Sequence, residues 1–323
     1  LHRAQGGLER GARQPGCALS TQHSVLYTHY LTRVFALTLG CFVLCTLPAG
    51  ALQENAKTCE TRFPLSKCVN SVTQLVSQIA RANVIYLGET HDSAKDHENQ
   101  LKIIQELHKR NKKIAIAMEM FQRPFQNVIN DYLAGKITEA ELVKQTEYEQ
   151  RWGFDWNLYA PIVRFAKENK IPVLAINTPS EITRKVSRQG LESLTSEERK
   201  QIPPFSEIRT SPEEYRKMVL AAFEAHQSAG HGNSKSAERF FLAQVLWDET
   251  MAESIANFIK TNRDYQVVVL AGQGHVVYDY GIPSRVERHL SGKQITQHSI
   301  LLSPPDDDSL PSNKQIADFI WRQ

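Results

Sequence analysis

Two glutamates and two histidines stand just beyond short apolar stretches of the sequence, and they are Glu89, His91, Glu119 and His275. Carboxylates and neutral imidazoles are the side chains with which proteins bind a divalent metal ion or transfer a proton. Glu89 and His91 are two residues apart, so in an extended chain their side chains share one face. If the fold brings all four residues together, the set predicts either a metal site or a general acid–base site.

The apolar stretches that precede these residues have the pattern of buried strands, and they are 83–87, 114–118 and 267–271. Their length and their β-branched residues are typical of parallel strands that are covered on both faces. In an open α/β sheet, ligands bind in the crevice beyond the carboxyl ends of the strands. We therefore expect side chains from opposite halves of the chain to meet in one pocket.

The rest of the pattern alternates strands with helices. Further strands are predicted at 172–177 and 299–302, and helices at 71–81, 96–109 and 237–260. This alternation predicts an α/β fold with a mainly parallel sheet that is flanked by helices. Only one clear strand falls within about 120–260, so we expect this stretch to form a helical lobe over the C-terminal strand ends.

The main α/β domain is expected to span residues 71–303. An N-terminal segment at 52–70 precedes it, and a C-terminal tail at 304–323 follows it. The remaining residues, 1–51, are expected to be an upstream region with a signal peptide.

The signal peptide is predicted from an uncharged stretch that runs from Val34 to Ala51. Arg33 precedes this stretch, and Ala49-Gly50-Ala51 has the small-residue form of a signal-peptidase site. The alternative is a membrane anchor, because the stretch is just long enough to span a bilayer. We expect an exported protein on the periplasmic or extracellular face, in contact with the membrane only through this segment.

Two cysteines remain after the predicted cleavage, Cys59 and Cys68. In an exported protein, two cysteines nine positions apart are candidates for a disulfide. The alternatives are two free thiols or, less favoured by the spacing of nearby residues, part of a metal site.

Several classes of function are disfavoured by charge and by missing motifs. Residues 1–51 carry the whole formal net charge of +3, so the remainder is neutral and predicts no nucleic-acid partner. After the strand at 267–271, Val277 occupies the third glycine position of a dinucleotide-binding motif. The sequence also lacks the G-x-S-x-G turn of many serine hydrolases.

The motifs around the four residues resemble those of the ChaN-like haem-binding uptake proteins, which belong with Tiki metalloproteases, TraB-like proteins and erythromycin esterases. The motifs are Gly88-Glu89-Thr90-His91, Glu119, Trp152-Gly153-Phe154-Asp155-Trp156, the run 243–252, Gly272-Gln273-Gly274-His275 and Gly281-Ile282-Pro283-Ser284-Arg285. The resemblance spans roughly residues 70–303 and is specific as a set.

The resemblance implies two different functions. The ChaN branch implies an exported haem-binding protein of haem or iron acquisition, in which a homodimer encloses cofacial haems and tyrosine binds the iron. The aromatic cluster offers Tyr159, Tyr148 and Trp152 as candidate haem-binding residues, although such rings can equally be helix-packing core. The Tiki and esterase branches imply a metal-dependent hydrolase, in which Glu89, His91, Glu119 and His275 bind a divalent metal ion or act as base.

Overall fold

The computed structural model describes residues 58–228, 236–304 and 313–322. The strands are β1 Lys67–Val69, β2 Val84–Glu89, β3 Ile114–Gln122, β4 Val173–Asn177, β5 Gln266–Gly272, β6 Gln297–Leu301 and β7 Phe319–Trp321. The first helices are α1 Cys59–Arg62, α2 Val72–Ile79, α3 Ala94–Arg110, α4 Gln126–Leu133, α5 Glu139–Gln145 and α6 Tyr148–Arg151. The later ones are α7 Trp156–Glu168, α8 Ser180–Gln189, α9 Ser196–Arg199, α10 Glu213–Ser228, α11 Ala237–Thr261 and α12 Ile282–His289.

The strands form one parallel sheet in the order β1-β7-β6-β2-β5-β3-β4. Every residue of β2, β3 and β5 is buried, as expected for strands with helices on both faces. The α/β fold and the five strands expected from the apolar stretches are therefore confirmed.

Two apolar cores lie on opposite faces of the sheet. On one face, α2, α3 and α7 pack against β2 and β3 through residues such as Leu75, Ile104 and Ile162. On the other face, α11 and α12 pack through residues such as Ile255 and Val286. Because strand side chains alternate between faces, one apolar stretch supplies both cores.

The helical lobe lies between β3 and β5 in the sequence, as expected. Its helices α8 and α11 share a small core that includes Ile182, Val186 and Leu246. A second small core joins α10 to α11 through Tyr215, Val219 and Phe241. Helix α11 therefore links the lobe to the sheet.

The two ends of the described chain belong to the sheet, which differs from the expected N-terminal segment and C-terminal tail. Strand β7 pairs with both β1 and β6, and Phe319 lies opposite Lys67 and Ile300. Both terminal strands are three residues long. Strands this short carry too little periodicity to be predicted from sequence.

The expected disulfide between Cys59 and Cys68 is present, with its Cα atoms 6.2 Å apart. It joins the start of α1 to β1, the strand at the edge of the sheet. The predicted signal peptide lies outside the described residues. Among the residues that are described, no helix combines the length and the apolar character that a membrane span requires.

Replacing both cysteines by serine should lower the free energy of unfolding by about 2–3 kcal/mol, because the open chain regains loop entropy when it unfolds. Urea unfolding monitored by circular dichroism measures the difference. A reducing agent should destabilise the wild type and leave the double variant unchanged. Equal stability of the two proteins under oxidising conditions would contradict the expectation.

Candidate functional site

The sheet brings the four predicted residues together at the carboxyl ends of its central strands. Glu89 ends β2 and lies opposite Gly272, which ends β5. His275 follows in a single helical turn, Gln273–His275. Glu119 lies on β3 just beyond Met118, the last β3 residue that pairs with β5. The expected meeting of these side chains is therefore observed, whereas their chemical roles stay predictions.

A buried carboxylate holds the first histidine. The Nδ1 atom of His91 lies 2.9 Å from Oε1 of Glu89. Tyr159 donates its hydroxyl proton to the same oxygen at 2.7 Å, and the Gln100 amide donates to Oε2 at 2.6 Å. Burial opposes ionisation of Glu89, but the hydrogen bond from His91 and the charge of nearby His97 outweigh it and lower the pKa of Glu89. Since a carboxylate only accepts, His91 carries its proton on Nδ1.

The second histidine lies between two carboxylates. Its Nδ1 is 2.5 Å from Oδ1 of Asp248, and its Nε2 is 3.3 Å from Oε1 of Glu119. Burial lowers the pKa of His275, but the charges of Glu119 and Asp248 outweigh burial and raise that pKa to about 10. The neighbouring backbone N–H of Gly272 donates to Oε2 of Glu119 at 2.8 Å.

Glu119 is the acid that both histidines approach. Burial raises its pKa, but the charge and the hydrogen bond of His275, the charge of His91 and the Gly272 amide outweigh burial and lower it to about 2. At neutral pH the site therefore contains an ionised Glu119 beside a protonated His275. The pKa of His91 is also raised, because the hydrogen bond and charge of Glu89 and the charge of Glu119 outweigh its burial.

Gly272 provides the space in which these groups meet. A Cβ atom at this position would lie 2.8 Å from both Cε1 and Nε2 of His91 and 3.8 Å from Oε2 of Glu119. Any larger residue would push the imidazole away. The glycine of the Gly272-Gln273-Gly274-His275 motif is therefore explained by the close approach of His91.

The four residues lie at different depths. His91, Glu119 and His275 keep 8%, 6% and 7% of their surface exposed, and Glu89 keeps 1%. Solvent thus reaches the two imidazoles and Glu119, while Glu89 lies behind them. Imidazoles that are each held by a carboxylate at Nδ1 are suited to proton transfer at Nε2.

An aromatic wall, defined here as Trp152, Phe154 and Trp247, flanks the two histidines. The ring of Trp152 lies 4.7 Å from that of His91 in an edge-on arrangement, and Phe154 lies 5.0 Å from it. Trp247 approaches the ring of His275 at 6.3 Å. Phe154 and Trp247 are half-buried, so part of each side chain is exposed beside the two histidines.

The two tyrosines predicted to bind haem iron are buried behind this wall. Tyr159 has its hydroxyl on Glu89, and Tyr148 packs against Phe121 and Trp156. Burial, with the charge of Glu89, raises the pKa of both tyrosines and keeps their phenols protonated. A tyrosine that binds iron does so as an accessible phenolate, so in this arrangement Tyr148 and Tyr159 do not fit as iron ligands. Trp152 fits only as part of the wall.

The metal alternative finds no support in the geometry. Across the three described ranges, no group of three or more histidine, cysteine, aspartate or glutamate side chains is arranged to hold a metal ion. The oxygens of Glu119 instead lie against Gly272 and His275, and those of Glu89 accept from Tyr159, His91 and Gln100.

The sequence prediction missed Asp248 and Gln244, which both reach His275 from α11. They are four residues apart and therefore share one face of the helix. Asp248 is fully buried, although charged residues on a helix usually face solvent. The signal that could have identified it is its place on the apolar face of α11, beside Val245, Met251 and Ala252.

Comparisons with known proteins agree with the resemblance seen in the motifs. A family model described as "Haem-binding uptake, Tiki superfamily, ChaN" matches residues 75–286. Protein RETICULATA-RELATED 5, chloroplastic, from Arabidopsis thaliana is 26% identical over 261 residues, which cover 76% of this chain and 34% of that protein. The chain thus spans about a third of the length of this curated relative.

Two solved structures align with the chain. ChaN of Campylobacter jejuni, solved with cofacially bound haem, aligns with a TM-score of 0.59 and 20% identity over 77% of this chain and 91% of that chain. A mutant of the erythromycin esterase EreC aligns with a TM-score of 0.43 and 12% identity over 71% of this chain and 72% of that one. At this identity the ChaN structure shows that the fold is shared.

The raised pKa of His275 should make the stability of the protein depend on pH. The folded protein keeps the proton of His275 up to about pH 10, whereas the unfolded chain releases it near pH 6.5. The free energy of unfolding should therefore fall as pH rises through this interval, by roughly 1.4 kcal/mol per pH unit for one proton.

Urea unfolding at several pH values between 6 and 10 measures this slope. In His275→Gln this slope should be smaller by roughly 1.4 kcal/mol per pH unit, the contribution of one proton. His298→Gln, which removes a histidine paired with Asp318 away from the site, should keep it. A wild-type stability that is flat over this interval would show that His275 is not held as a cation.

Proposed function

Because the chain belongs to the haem-binding uptake family of the Tiki superfamily, which includes ChaN, we propose that it binds haem. The observation that carries this proposal is the family match over residues 75–286, which includes every residue of the site and its aromatic wall. The plant relative covers 76% of the chain, and the ChaN structure covers 77% of it.

The proposed haem surface is the outer side of the aromatic wall. Tyr148 and Tyr159 are buried, and the two imidazoles keep less than a tenth of their surface exposed. Phe154 and Trp247 are half-buried and lie beside His91 and His275, so their exposed parts are the aromatic surface that a flat macrocycle would contact. Flat aromatic groups stack on such rings, with each contact worth about 0.5–1.5 kcal/mol beyond area burial.

We also propose that the haem-loaded protein is a homodimer. The solved ChaN relative binds its haems cofacially, and two haems that face each other are most simply supplied by two copies of one surface. A haem on the outer side of the wall would be exposed in the monomer, and a second copy would cover it. Sedimentation of the protein with and without haem tests this, and a loaded monomer would contradict it.

Haem titration of the full chain, followed by the Soret absorption band, tests the main proposal. The expected result is a saturable shift. Phe154→Ala and Trp247→Ala should each weaken binding by about 3- to 10-fold, since each removes one stacking partner. Leu65→Ala, which removes an exposed apolar side chain elsewhere on the surface, should bind as the wild type does.

A wild-type protein with no saturable change in its spectrum would overturn haem binding. Saturable binding that neither wall variant weakens would place the haem elsewhere. The visible spectrum and the metal content of the purified protein, measured before any titration, distinguish bound haem from a bare divalent ion.

Hydrolysis is a second candidate function, and the orientation of the histidines favours it. Each imidazole is fixed at Nδ1 by a buried carboxylate, and Glu119 lies beside both rings. His275 keeps its proton up to about pH 10 and can act only as an acid at neutral pH, so the base in this reaction is the deprotonated form of His91, which can activate water for attack on an ester or a peptide.

Turnover of peptide and ester substrates, with elemental analysis of the same sample, tests hydrolysis. We expect His91→Ala to lower turnover by roughly 100-fold or more, the usual contribution of a general base. Phe154→Ala should reduce activity less, because its ring only borders the site. Turnover that His91→Ala leaves unchanged would reject this function.

We propose, finally, that the mature protein acts in an oxidising compartment that it reaches by export, in haem or iron acquisition or handling. The uncharged stretch before residue 52 and the disulfide between Cys59 and Cys68 support this. The Arabidopsis relative is named as chloroplastic. Cell fractionation with thiol labelling distinguishes the two locations, and a reduced protein inside a plastid would overturn export.

A further inference from the structure

Helix α11 sends two polar side chains to the same nitrogen of His275. Asp248 places Oδ1 2.5 Å from Nδ1, and Gln244 places the end of its amide 3.1 Å from the same atom. Asp248 is fully buried, and Gln244 and His275 are nearly so. One ring nitrogen either donates or accepts, so Nδ1 cannot donate to Asp248 and at the same time accept from an amide N–H of Gln244.

The carboxylate decides the direction of the bond. Asp248 also accepts a hydrogen bond from Tyr215 at Oδ2, so both of its oxygens act as acceptors. Nδ1 of His275 therefore carries the proton and donates it to Asp248. Gln244 fits this arrangement with its amide oxygen towards the ring, because the two ends of an amide are interchangeable in position.

Tyr215 is itself fixed from several sides. It begins the inner face of α10 and lies in the small core with Phe241, whose ring is 5.4 Å away. The guanidinium of Arg285 lies 4.8 Å from the centre of the Tyr215 ring. A buried ring held by these contacts offers its hydroxyl to Asp248 in one direction only.

We propose that Asp248 and Tyr215 are positioning residues for His275, so that the helical lobe fixes how this imidazole faces Glu119. The hydrogen-bonded chain runs from Tyr215 on α10 through Asp248 on α11 to His275 and then to Glu119 on β3. Its four members come from the lobe and from two strand ends. The inference goes beyond haem binding, and it holds whichever ligand the pocket takes.

The proton on Nδ1 of His275 is the direct readout. In full-length protein labelled with ¹⁵N-histidine, the resonance of this proton is identified by its loss in His275→Gln, and its exchange with solvent is measured at pH 7. Asp248→Asn should make exchange about 10- to 100-fold faster, because a hydrogen bond to a charged group contributes roughly 1.5–3 kcal/mol. Tyr215→Phe should make it about 2- to 10-fold faster, as expected for a weaker, indirect support.

Glu253→Gln is the control. Glu253 lies five residues beyond Asp248 on α11, and its carboxylate is 2.8 Å from Arg123. It should leave the exchange of the His275 proton within about 2-fold of the wild type, a factor much smaller than a lost charged hydrogen bond would produce. Urea unfolding of each variant measures its global stability. This distinguishes faster exchange by local opening at His275 from faster exchange by unfolding of the whole protein.

If Asp248→Asn exchanges this proton at the wild-type rate, the proposal is overturned. An equal acceleration in Glu253→Gln would also overturn it, because it would point to general loosening of α11. If Tyr215→Phe exchanges this proton at the wild-type rate, Tyr215 and α10 are not part of the hydrogen-bonded chain. If Asp248→Asn does not fold, Tyr215→Phe carries the test, because it keeps the ring and its packing. Haem titration does not depend on these outcomes. If the exchange experiments contradict the positioning role, the proposed haem binding is still tested separately by its titration.

Discussion

The constraint on which the structure depends is the burial of five ionisable side chains in one place, namely Glu89, His91, Glu119, Asp248 and His275. An isolated charge in a protein interior is so costly that it is normally paired or neutralised. Here each carboxylate has an imidazole beside it, and the remaining carboxylate oxygens accept from a tyrosine, an amide or the backbone. None of these groups would be stable in its place without the others, so the fold must deliver all of them together.

The parallel sheet meets this requirement by its register. Pairing of β2 with β5 puts Glu89 beside Gly272, and the absence of a side chain at Gly272 leaves space for His91. Helices complete the set from both faces, since Tyr159 comes from α7 on one side and Asp248 from α11 on the other. The lobe is therefore part of the site, and a change in the packing of α11 reaches His275 through a single hydrogen bond.

The sequence predicted the parts of this arrangement that have a local sequence pattern. Buried strands have a period and a composition, so their carboxyl ends, and with them Glu89, Glu119 and His275, could be placed on one edge of the sheet. Two kinds of residue could not be placed. A buried tyrosine that supports a carboxylate has the same sequence appearance as an exposed tyrosine that binds iron, so the sequence does not show that the hydroxyl of Tyr159 donates to Glu89. Asp248 was missed because a charged residue on a helix is usually solvated, and only the tertiary contact with His275 shows otherwise.

The depth of the site separates the ligands that it can take. The imidazoles and Glu119 reach solvent through less than a tenth of their surface, so a water molecule or one small functional group has access to them. A haem is far larger, and on the proposed surface it would contact the half-buried rings of Phe154 and Trp247. On the proposed surface, haem binding and acid–base chemistry would therefore not compete for the same atoms: one would use the outer side of the aromatic wall, and the other would use the charged groups of Glu119 and the two histidines. A haem on the wall would, however, lie over Phe154, whose ring is 5.0 Å from that of His91, so a chain that performed both functions would perform them in turn.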